Sequence, residues 1–528
     1  MPEPRAARPA DEAIETPTAS RLPIDRIGLV LGPLVMAIWI FFADPGPLSD
    51  EAHRLAGIML LTIIWWLTEP IPIPATGLAA VALCVILKAV PADSNGNLGA
   101  ARTVLAPFAD PSVFFLLGGV FIGRAMTRHG LDRRIALAIL CTRWAGRSPA
   151  TVLCAVGLGV ATISMWISNT AATAMMYPVT LGIIAVLATD VDSLAPARRE
   201  SFARSPYASA LLMMTAYASS VGGVATPIGT ATNVVAMGYF KKPEYFGQGV
   251  DFLRWLAVGA PLMAVVFIGL FGWLRLQARA DGLDLASLRQ YLRAEQVRLG
   301  PWNRGELNTL IVFLTVVGLW ITPGVLKMFA SAESYNAFAA RFPEEITAVL
   351  APVFLFLLPV EWSARRFTMD ASDLAKVDWG TILLFGAGLS LGGLMFSTGL
   401  AKAVGDGAFR ALGIRDVWAI TALAIAGGIV LSEFTSNAAT AIALIPVVWT
   451  LCGEAGVDPW PPLLGVTFGA SFGSALPVST PPNAIVYSSG LLPVRRMIAA
   501  GVGVDILAGV AIWIVLRVAF ALGWRAIA

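Results

Sequence analysis

The chain contains 528 residues, of which 57% are hydrophobic and only 13% are charged, and its formal net charge is +3 at pH 7. Soluble domains carry about 25% charged residues, so this composition excludes a water-soluble protein and indicates one membrane domain with many crossings. Two histidines and four cysteines without a CxxC pair argue against a histidine-based metal site or a Ser–His catalytic pair. The small net charge gives no sign of a nucleic-acid partner.

The chain is predicted to begin with a disordered cytoplasmic tail, residues 1–26, which mixes basic and acidic residues and lacks the apolar core of a cleaved signal peptide. Apolar runs of roughly spanning length follow, and they predict about 11 transmembrane helices in an all-α polytopic membrane protein. The runs lie at about 27–44, 55–69, 74–91, 108–128, 205–240, 252–277, 306–323, 345–360, 379–398, 461–490 and 499–524.

Two further apolar stretches, 150–186 and 415–451, are each interrupted near the middle by a polar cluster, SNT at 168–170 and SNA at 436–438. Polar groups at mid-membrane depth must line a cavity or meet partners. Each half of a stretch is only about 16 residues, which is short for a crossing at about 1.5 Å per residue. We therefore expect two re-entrant helical hairpins, each with a polar tip.

Arginine clusters support this arrangement through the positive-inside rule. With the N-terminal tail in the cytoplasm and two hairpins, every large arginine cluster falls on the cytoplasmic face and the C-terminus lies outside; Lys241 and Lys242 are a minor exception. Counting the hairpins as full crossings moves several clusters outside. We expect an integral protein of a bacterial inner membrane, surrounded by lipid. The clusters span 128–147, 198–204, 275–298, 365–366 and 495–496.

The two halves of the chain repeat each other in sequence. SNTAATAMMYPV at 168–179 aligns without gaps to SNAATAIALIPV at 436–447. Downstream, ATPIGTATN at 225–233 and ALPVSTPPN at 475–483 share Pro, Thr and Asn at equal offsets. Two motifs repeated in the same order predict an internal duplication rather than a chance match.

This duplication divides the chain into a first span at 27–44, repeat 1 at 55–277 with its hairpin, and repeat 2 at 306–528 with its hairpin. An amphipathic cytoplasmic connector, residues 278–305, joins the repeats. Each repeat contains five crossings, an odd number, so repeat 2 is predicted to be inverted relative to repeat 1. Inverted repeats with broken helices at the midplane are typical of secondary transporters.

The hairpin tips have the chemistry of an ion site. A tip exposes free carbonyls where the first half-helix ends and free amides where the second begins, so it favours a cation at one end and an anion at the other. Ser and Asn side chains add neutral oxygen ligands and amide donors, which suit a weakly held monovalent cation beside a small anion and not a transition metal. The tips and downstream loops contain no Lys or Arg, so substrate charge would have to be met by helix ends, polar side chains and bound cations. The alternative is that Ser and Asn only join helices by hydrogen bonds; the duplicated Ser-x3-Ser-Asn, which begins at Ser164 and Ser432, favours binding.

Three other features of the sequence are an acidic residue within an apolar stretch and two pairs of neighbouring glycines. Glu433, directly before the second tip, is an intramembrane acid whose sequence position does not separate a structural role from a pathway role. Gly118-Gly119 and Gly386-x-Gly388 are predicted to allow close helix packing.

The motifs resemble the divalent anion/sodium symporter family, whose members carry di- and tricarboxylates and in some cases sulfate. The resemblance rests on ISMWISNTAATAMMYPV at 163–179, the second SNA(A)T element, WWLTEPIPIPATGL at 65–78 and LPVSTPPNAIVYSSG at 476–490, and it covers nearly the whole chain from the second span. It implies a homodimer and an elevator-type transporter, in which a fixed scaffold of outer spans supports a mobile transport domain that holds both hairpins.

The resemblance also implies the ligands. One sodium site would use Ser164, Ser168, Asn169 and the backbone of Gly229. The other would use Ser432, Ser436, Asn437 and the backbone of Ser479. Substrate carboxylates would meet Asn169, Thr170, Asn437, Ala438, Thr480 and Pro481. Ala438 stands where the family usually has threonine, so one hydroxyl is missing; a hydrogen bond contributes about 1 kcal/mol, enough to shift substrate preference without abolishing transport.

The expected function is sodium-coupled symport of small di- or tricarboxylates of the succinate, malate and fumarate class, with sodium as the co-transported ion and no organic cofactor. Two hypotheses within transport remain open: a sodium-independent carboxylate exchanger, and a carrier of sulfate or another oxyanion. A sensor would need a soluble output domain, and a channel would not need two inverted hairpins. No acid/base pair or metal triad is visible at midplane depth, so an enzyme is not expected. The sequence does not determine the carboxylate or the sodium stoichiometry.

Overall fold

The computed structural model describes residues 24–91, 96–190, 202–247, 249–278 and 285–524, and most of this part of the chain is helical. The predicted tail at 1–26, apart from its last three residues, lies outside the described residues. The same is true of Arg198 and Arg199 and of the first part of the predicted connector, 279–284.

The first half of the chain folds into eleven described α-helices and one short 3-10 helix, Ala106–Ala109. The α-helices are α1 (Ile24–Phe42), α2 (Asp50–Thr68), α3 (Ile73–Ile86), α4 (Gly96–Leu105), α5 (Pro111–His129), α6 (Leu131–Leu140), α7 (Pro149–Ser164), α8 (Asn169–Asp190), α9 (Pro206–Gly223), α10 (Ala231–Lys241) and α11 (Phe252–Gln277).

In the second half, as in the first, a hairpin is followed by a broken helix and a long helix; two short strands and a four-residue helix occur before its hairpin. The second half contains α12 (Ala286–Arg298), α13 (Arg304–Phe329), α14 (Ala332–Arg341), α15 (Glu344–Leu357), β1 (Pro359–Glu361), β2 (Arg366–Phe367), α16 (Ala371–Leu374), α17 (Trp379–Ser397), α18 (Leu400–Leu412), α19 (Val417–Ser432), α20 (Asn437–Ala455), α21 (Trp460–Gly469), α22 (Pro481–Tyr487) and α23 (Val494–Ala521). The antiparallel pair β1–β2 departs from the expected all-α fold, because the chain reverses tightly between α15 and α16.

Among the described residues, eight helices are long and apolar enough to cross a membrane, or nine if the pair α18–α19, bent by 110°, counts as one span. The sequence predicted about 11 spans from the apolar runs alone. The numbers differ because some of these runs form helices that are shorter than a span, such as α3 with 14 residues, or broken. Composition marks a segment as membrane-embedded without stating whether its helix is continuous.

Each predicted hairpin consists of two helices joined by a short tip. Residues 165–168 join α7 to α8, and residues 433–436 join α19 to α20. Together with the helix residue on either side, they are called tip 1 (164–169) and tip 2 (432–437). The first halves, α7 and α19, contain 16 residues each, as expected. The second halves are longer than expected, with 22 residues in α8 and 19 in α20, so their length alone does not exclude a full crossing.

The serines of the two motifs explain why the second halves begin where they do. Ser168 Oγ accepts a hydrogen bond from the amide of Ala171 at 3.3 Å, and Ser436 Oγ accepts one from the amide of Ala439 at 3.2 Å. Serine at this position satisfies an amide that the first helical turn leaves unpaired. The same serines that suggested an ion site therefore also start α8 and α20.

The runs at 205–240 and 461–490 were expected as continuous spans, and the structure corrects this. The first divides into α9 and α10 around loop 1 (residues 224–230), and the second into α21 and α22 around loop 2 (residues 470–480). Pro227 in loop 1 and Pro477 in loop 2 lack the amide that a continuous helix needs. Both repeats thus contain a broken helix directly after the hairpin.

Packing places each hairpin against both broken helices. Within each repeat, α7 packs against α9 and α19 packs against α21. Between the repeats the partners are exchanged: α8 packs against α22, and α10 packs against α20. The two hairpins and the two broken helices therefore form one continuous body, on which α11 and α23 also pack.

The predicted glycine contacts are confirmed. A Cβ atom on Gly118 would lie 2.3 Å from the backbone oxygen of Ala348 in α15, which explains the close approach of α5 to α15. A Cβ atom on Gly388 in α17 would lie 2.5 Å from the side chain of Ile442 in α20. Glycine at these positions allows neighbouring helices to approach more closely than any other residue would.

Three arginine-bearing segments meet at one end of the molecule. Arg128 at the end of α5 pairs with Asp370 at 2.7 Å, and Arg134 in α6 pairs with Glu306 at the start of α13 at 2.9 Å. Glu295 in α12 pairs with Arg133 at 2.5 Å. Three of the clusters assigned to the cytoplasmic face are thus neighbours in space, in agreement with a common side for them.

Candidate functional site

The first site is built from tip 1 and loop 1. Ser164 Oγ donates a hydrogen bond to Asn169 Oδ1 at 2.7 Å. This oxygen faces the end of α9, where a Cβ atom on Gly223 would lie only 2.5 Å from it. Asn233 Nδ2 holds the loop in place by donating to the carbonyl oxygens of Gly223 at 3.0 Å and Thr226 at 2.8 Å. Neutral oxygens of a tip and a loop therefore lie side by side.

The second site has the same construction in tip 2 and loop 2. Ser432 Oγ lies 2.7 Å from Asn437 Oδ1 and 2.9 Å from the carbonyl oxygen of Ala470. Asn437 Nδ2 donates to the carbonyl oxygen of Ser471 at 3.3 Å. In repeat 2 the side-chain nitrogen of the tip asparagine is therefore bonded to a carbonyl oxygen of the following loop.

An asparagine also pins loop 2. Asn483 Nδ2 donates to the carbonyl oxygens of Gly473 and Leu476, both at 3.0 Å, and lies 3.1 Å from Ser479 Oγ. The hydroxyl group of Ser479 is also bonded within loop 2: its Oγ lies 2.6 Å from the carbonyl oxygen of Gly473 and 2.8 Å from that of Leu476. The loop is therefore a closed hydrogen-bonded turn that binds Ser479 to Gly473, and Gly473 lies against the backbone of Ser432 at the end of α19.

The contacts of the two sites correspond pair by pair. Ser164–Asn169 matches Ser432–Asn437, each at 2.7 Å. The bonds from Asn233 Nδ2 to the carbonyl oxygen of Gly223 and from Asn483 Nδ2 to that of Gly473 are both 3.0 Å long, although Gly223 ends α9 and Gly473 lies within loop 2. The internal repeat predicted from two motifs thus extends to individual hydrogen bonds.

The predicted site residues differ in how far they are exposed. Ser168, Thr170 and Pro481 are exposed; Asn169, Ser436 and Asn437 are half-buried; Ser164, Gly229, Ser432, Ala438, Ser479 and Thr480 are buried. Because α22, which begins at Pro481, packs against α8, which begins at Asn169, the first tip and the end of loop 2 belong to the same region. Within the described part of the chain, no cluster of three or more His, Cys, Asp or Glu could hold a metal ion.

A cavity of about 670 Å³ leads from this region towards the arginine-rich end. Its lining includes Ala171 and Ala174 in the first turns of α8, and Arg128 and Arg133 near the surface. Asp132 also lines it, and burial raises the pKa of this carboxyl group above its ordinary value. The cavity therefore extends from the first turns of α8 to the ion-paired arginines Arg128 and Arg133.

Sequence reasoning gave no role to several residues that build the site. In the sequence, Asn233 and Asn483 are distinguished only by ending the two copies of the repeated loop motif. Their equal position in both copies is the feature that could have identified them. Gly223 carried no signal of its own. Glu433, whose role the sequence left open, accepts hydrogen bonds from the amides of Ala475 at 2.8 Å and Leu476 at 2.9 Å.

Comparisons with known proteins agree with this architecture. Residues 25–527 match the family model described as the sodium:sulfate symporter transmembrane region. The chain is 30% identical over 491 residues to the sodium-dependent dicarboxylate transporter SdcS of Staphylococcus saprophyticus, covering 93% of this chain and 90% of the relative. It is 29% identical over 493 residues to a protein of the same name from Staphylococcus aureus.

Among solved structures, the chain is similar in fold to the Alcanivorax borkumensis YdaH transporter. The TM-score is 0.50 at 14% sequence identity, and the match covers 95% of this chain and 97% of the other. At this identity the likeness concerns the fold alone. The family model matches nearly the whole length of this chain. The chain therefore belongs to the sodium:sulfate symporter family, which includes the divalent anion/sodium symporters, and it is an integral membrane transporter.

Proposed function

We propose that this protein carries small dicarboxylates across a bacterial inner membrane together with sodium ions. The observation that carries the proposal is the duplicated hydrogen bond between a tip serine and a tip asparagine, which lies beside the end of α9 in repeat 1 and beside carbonyl oxygens of loop 2 in repeat 2. Uncharged hydroxyl, amide and carbonyl oxygens are suited to a hard monovalent cation and poorly suited to transition metals. The names of the similar Staphylococcus proteins support sodium and a dicarboxylate as the transported species.

The proposed first sodium site consists of Ser164, Ser168, Asn169 and the backbone of Gly229, and the second of Ser432, Ser436, Asn437 and the backbone of Ser479. In each, the tip asparagine is oriented by the serine five residues before it, so its amide is fixed before an ion arrives. Fixed ligands lower the ordering cost of binding. Sodium would complete the contact between tip and loop and thereby order the substrate site.

The proposed substrate site consists of Asn169, Thr170, Asn437, Ala438, Thr480 and Pro481. The amide ends of α8 and α20 carry positive partial charge, which favours carboxylate groups. The exposure of Thr170 and Pro481 supports an accessible site. Bound sodium ions would supply the remaining positive charge, because the tips and loops contain no Lys or Arg.

We further propose an elevator mechanism in a homodimer, with repeat 2 inverted relative to repeat 1, the N-terminus in the cytoplasm and the C-terminus outside. The hairpins, the broken helices, α11 and α23 pack into one body and would move together. A scaffold would comprise α2, α3, α5, α13, α15 and α17, which contact one another in the pairs α2–α3, α3–α17, α5–α13, α5–α15 and α13–α15. Rigid-body movement of one helical bundle against another is a general mode of alternating access.

Uptake of labelled succinate into proteoliposomes tests the proposal. We expect uptake that requires an inward sodium gradient, is lost when potassium replaces sodium, and does not need unlabelled succinate inside. Equal uptake in potassium would refute sodium coupling, and a strict requirement for internal succinate would instead establish a carboxylate exchanger.

Sulfate is the second candidate substrate, because the family description names it. Malate, fumarate, citrate and sulfate are therefore added as unlabelled competitors, and the stabilisation of the purified protein by each is measured in sodium and in potassium. Only a true ligand stabilises the folded protein by mass action. We expect a four-carbon dicarboxylate to compete most strongly; stronger competition by sulfate would assign the protein to the oxyanion carriers.

A further inference from the structure

Two buried carboxyl groups hold loop 2 in place. Glu433 lies in tip 2 and Asp505 lies in α23. The two residues are 9% and 7% exposed, respectively. Glu433 accepts the amides of Ala475 and Leu476 at 2.8 and 2.9 Å. Asp505 Oδ1 accepts the amide of Ser474 at 3.1 Å. Three consecutive amides of loop 2 are thus bound by one pair of acids.

The amides held by this pair lie next to the second proposed sodium site. The carbonyl oxygen of Leu476 accepts hydrogen bonds from Ser479 Oγ and from Asn483 Nδ2. Glu433 itself directly follows Ser432, so it connects the tip to the loop across the site. A change in the position of Leu476 would therefore displace Ser479 relative to Ser432.

The corresponding positions of repeat 1 contain no acid. Met165 takes the place of Glu433, and Met263 takes the place of Asp505, because Gly259 in α11 and Gly501 in α23 lie against corresponding residues of loops 1 and 2. Trp255 Nε1 donates to the carbonyl oxygen of Val224 at 3.2 Å, and Thr226 Oγ1 donates to the carbonyl oxygen of Met165. Loop 1 is thus held largely by side-chain donors and loop 2 by carboxyl acceptors, in the same place in the fold.

The surroundings of the pair are apolar. Glu433 and Asp505 border a cavity of about 630 Å³ between α19 and α23, whose other lining residues include Ile425, Ile429 and Val502. The two carboxyl groups also lie close enough to interact with each other. In such surroundings an amide that loses its acceptor finds no substitute, so the bonds to loop 2 are stronger than they would be in water.

We propose that Glu433 and Asp505 are positioning residues of the second sodium site, which hold loop 2 so that Ser479 faces Ser432 and Asn437. The inference rests on the proposed sodium-coupled function and goes beyond it by separating the two sites. Loss of the carboxyl clamp weakens sodium binding at the second site and leaves the contacts of the first site intact. Neither acid contacts the substrate.

The test measures the sodium concentration that gives half-maximal succinate uptake. Glu433→Gln replaces one acceptor by an amide donor that faces a backbone amide. It should raise this concentration about tenfold, because a buried amide left without an acceptor is unfavourable. The maximal rate in saturating sodium should change less than about threefold. A purely structural defect would instead lower the maximal rate at every sodium concentration.

Asp505 provides a matched pair of variants. Asp505→Leu removes the acceptor for Ser474 and should also raise the half-saturating sodium about tenfold. Asp505→Asn keeps an oxygen for the Ser474 amide, and it should restore most of the sodium affinity. Glu454→Gln, an exposed acid near the end of α20, serves as the control and should match the wild type.

The outcomes separate this inference from the function on which it rests. If the wild type requires sodium and Glu433→Gln has the wild-type sodium dependence, the positioning role is wrong and the proposed function stands. If the wild type shows no sodium dependence, both are wrong. Should Glu433→Gln fail to fold, Asp505→Asn and Asp505→Leu decide the question: equal sodium dependence in these two variants would refute the clamp.

Discussion

At the scale of single residues, the two tip asparagines combine structural and binding roles. The side chain of Asn169 accepts from Ser164, and that of Asn437 contacts Ser432 and donates to the carbonyl oxygen of Ser471. A half-buried amide with defined partners is pre-oriented, so its remaining lone pair and protons point in fixed directions. This explains how uncharged side chains can serve a charged ligand.

Replacement of either asparagine tests this role. Asn169→Ala and Asn437→Ala should each abolish the sodium-dependent rise in Tm and sodium-driven uptake, because a ligand and the anchor between tip and loop are lost together. Asn336→Ala, at an exposed position of α14, should leave both unchanged. Sodium-dependent stabilisation that persists in both tip variants would show that the asparagines only join helices.

Ala438 offers a gain-of-function test. It is buried at the start of α20, where its counterpart in repeat 1 is Thr170. Ala438→Thr should lower the KM for succinate about fivefold, since one hydrogen bond contributes about 1 kcal/mol, while half-saturating sodium stays constant. The converse change, Thr170→Ala, should raise the KM by a similar factor. An unchanged or higher KM in Ala438→Thr would remove this position from the substrate site.

At the scale of helices, the sites depend on contacts at backbone distance between each hairpin and the following broken helix. A Cβ atom on Gly222 in α9 would lie 2.2 Å from the backbone oxygen of Ala161 in α7. In repeat 2, a Cβ atom on Gly473 would lie 2.8 Å from the backbone oxygen of Ser432. These glycines allow the loop carbonyls to approach the tips, and larger residues would separate them.

Gly222→Ala should therefore weaken both the fold and the site. Forcing α7 and α9 apart costs roughly 1–3 kcal/mol, so the Tm in detergent should fall and the half-saturating sodium should rise. Gly318→Ala is the matched control, because a Cβ atom there meets no atom within 4 Å; its Tm should be equal to or above that of the wild type. Equal Tm values for the two variants would contradict the close contact.

At the scale of the whole molecule, the proposed elevator motion requires α11 to slide past α13. A Cβ atom on Gly324 in α13 would lie 2.6 Å from the Cβ atom of Leu253 in α11. Within the proposed scaffold, a Cβ atom on Gly77 in α3 would lie 2.9 Å from the Cβ atom of Ala387 in α17. Disulfides bridge Cβ atoms about 3.5–4.5 Å apart, so small shifts would permit a bond at either place.

Cysteine pairs at these two places distinguish moving from fixed contacts, in a background from which the four native cysteines are removed. The oxidised pair Leu253→Cys/Gly324→Cys should block succinate uptake yet retain sodium-dependent stabilisation, and reduction should restore uptake. The oxidised pair Gly77→Cys/Ala387→Cys should transport normally. Full uptake by the first pair when cross-linked would exclude a displacement of α11 against α13.

The amino-acid sequence by itself determined the membrane class, the internal duplication and the polar tips. Composition and the positive-inside pattern depend only on the residue types along the chain, and the match of 168–179 to 436–447 needs no coordinates. The starts of α8 and α20 were also predictable, because serine caps a helix locally. Such properties are set by neighbours in sequence, which is why they can be derived without a fold.

The tertiary structure decided which helices are broken, how long the second hairpin halves are, and what holds the loops. The bonds from Asn233 and Asn483 to loop carbonyls, and the binding of loop 2 amides by Glu433 and Asp505, join residues that are separated in the chain by up to 43 positions. The exchange of partners between repeats, α8 with α22 and α10 with α20, spans about half of the chain. No local pattern encodes such pairings, because they arise only when the whole body packs.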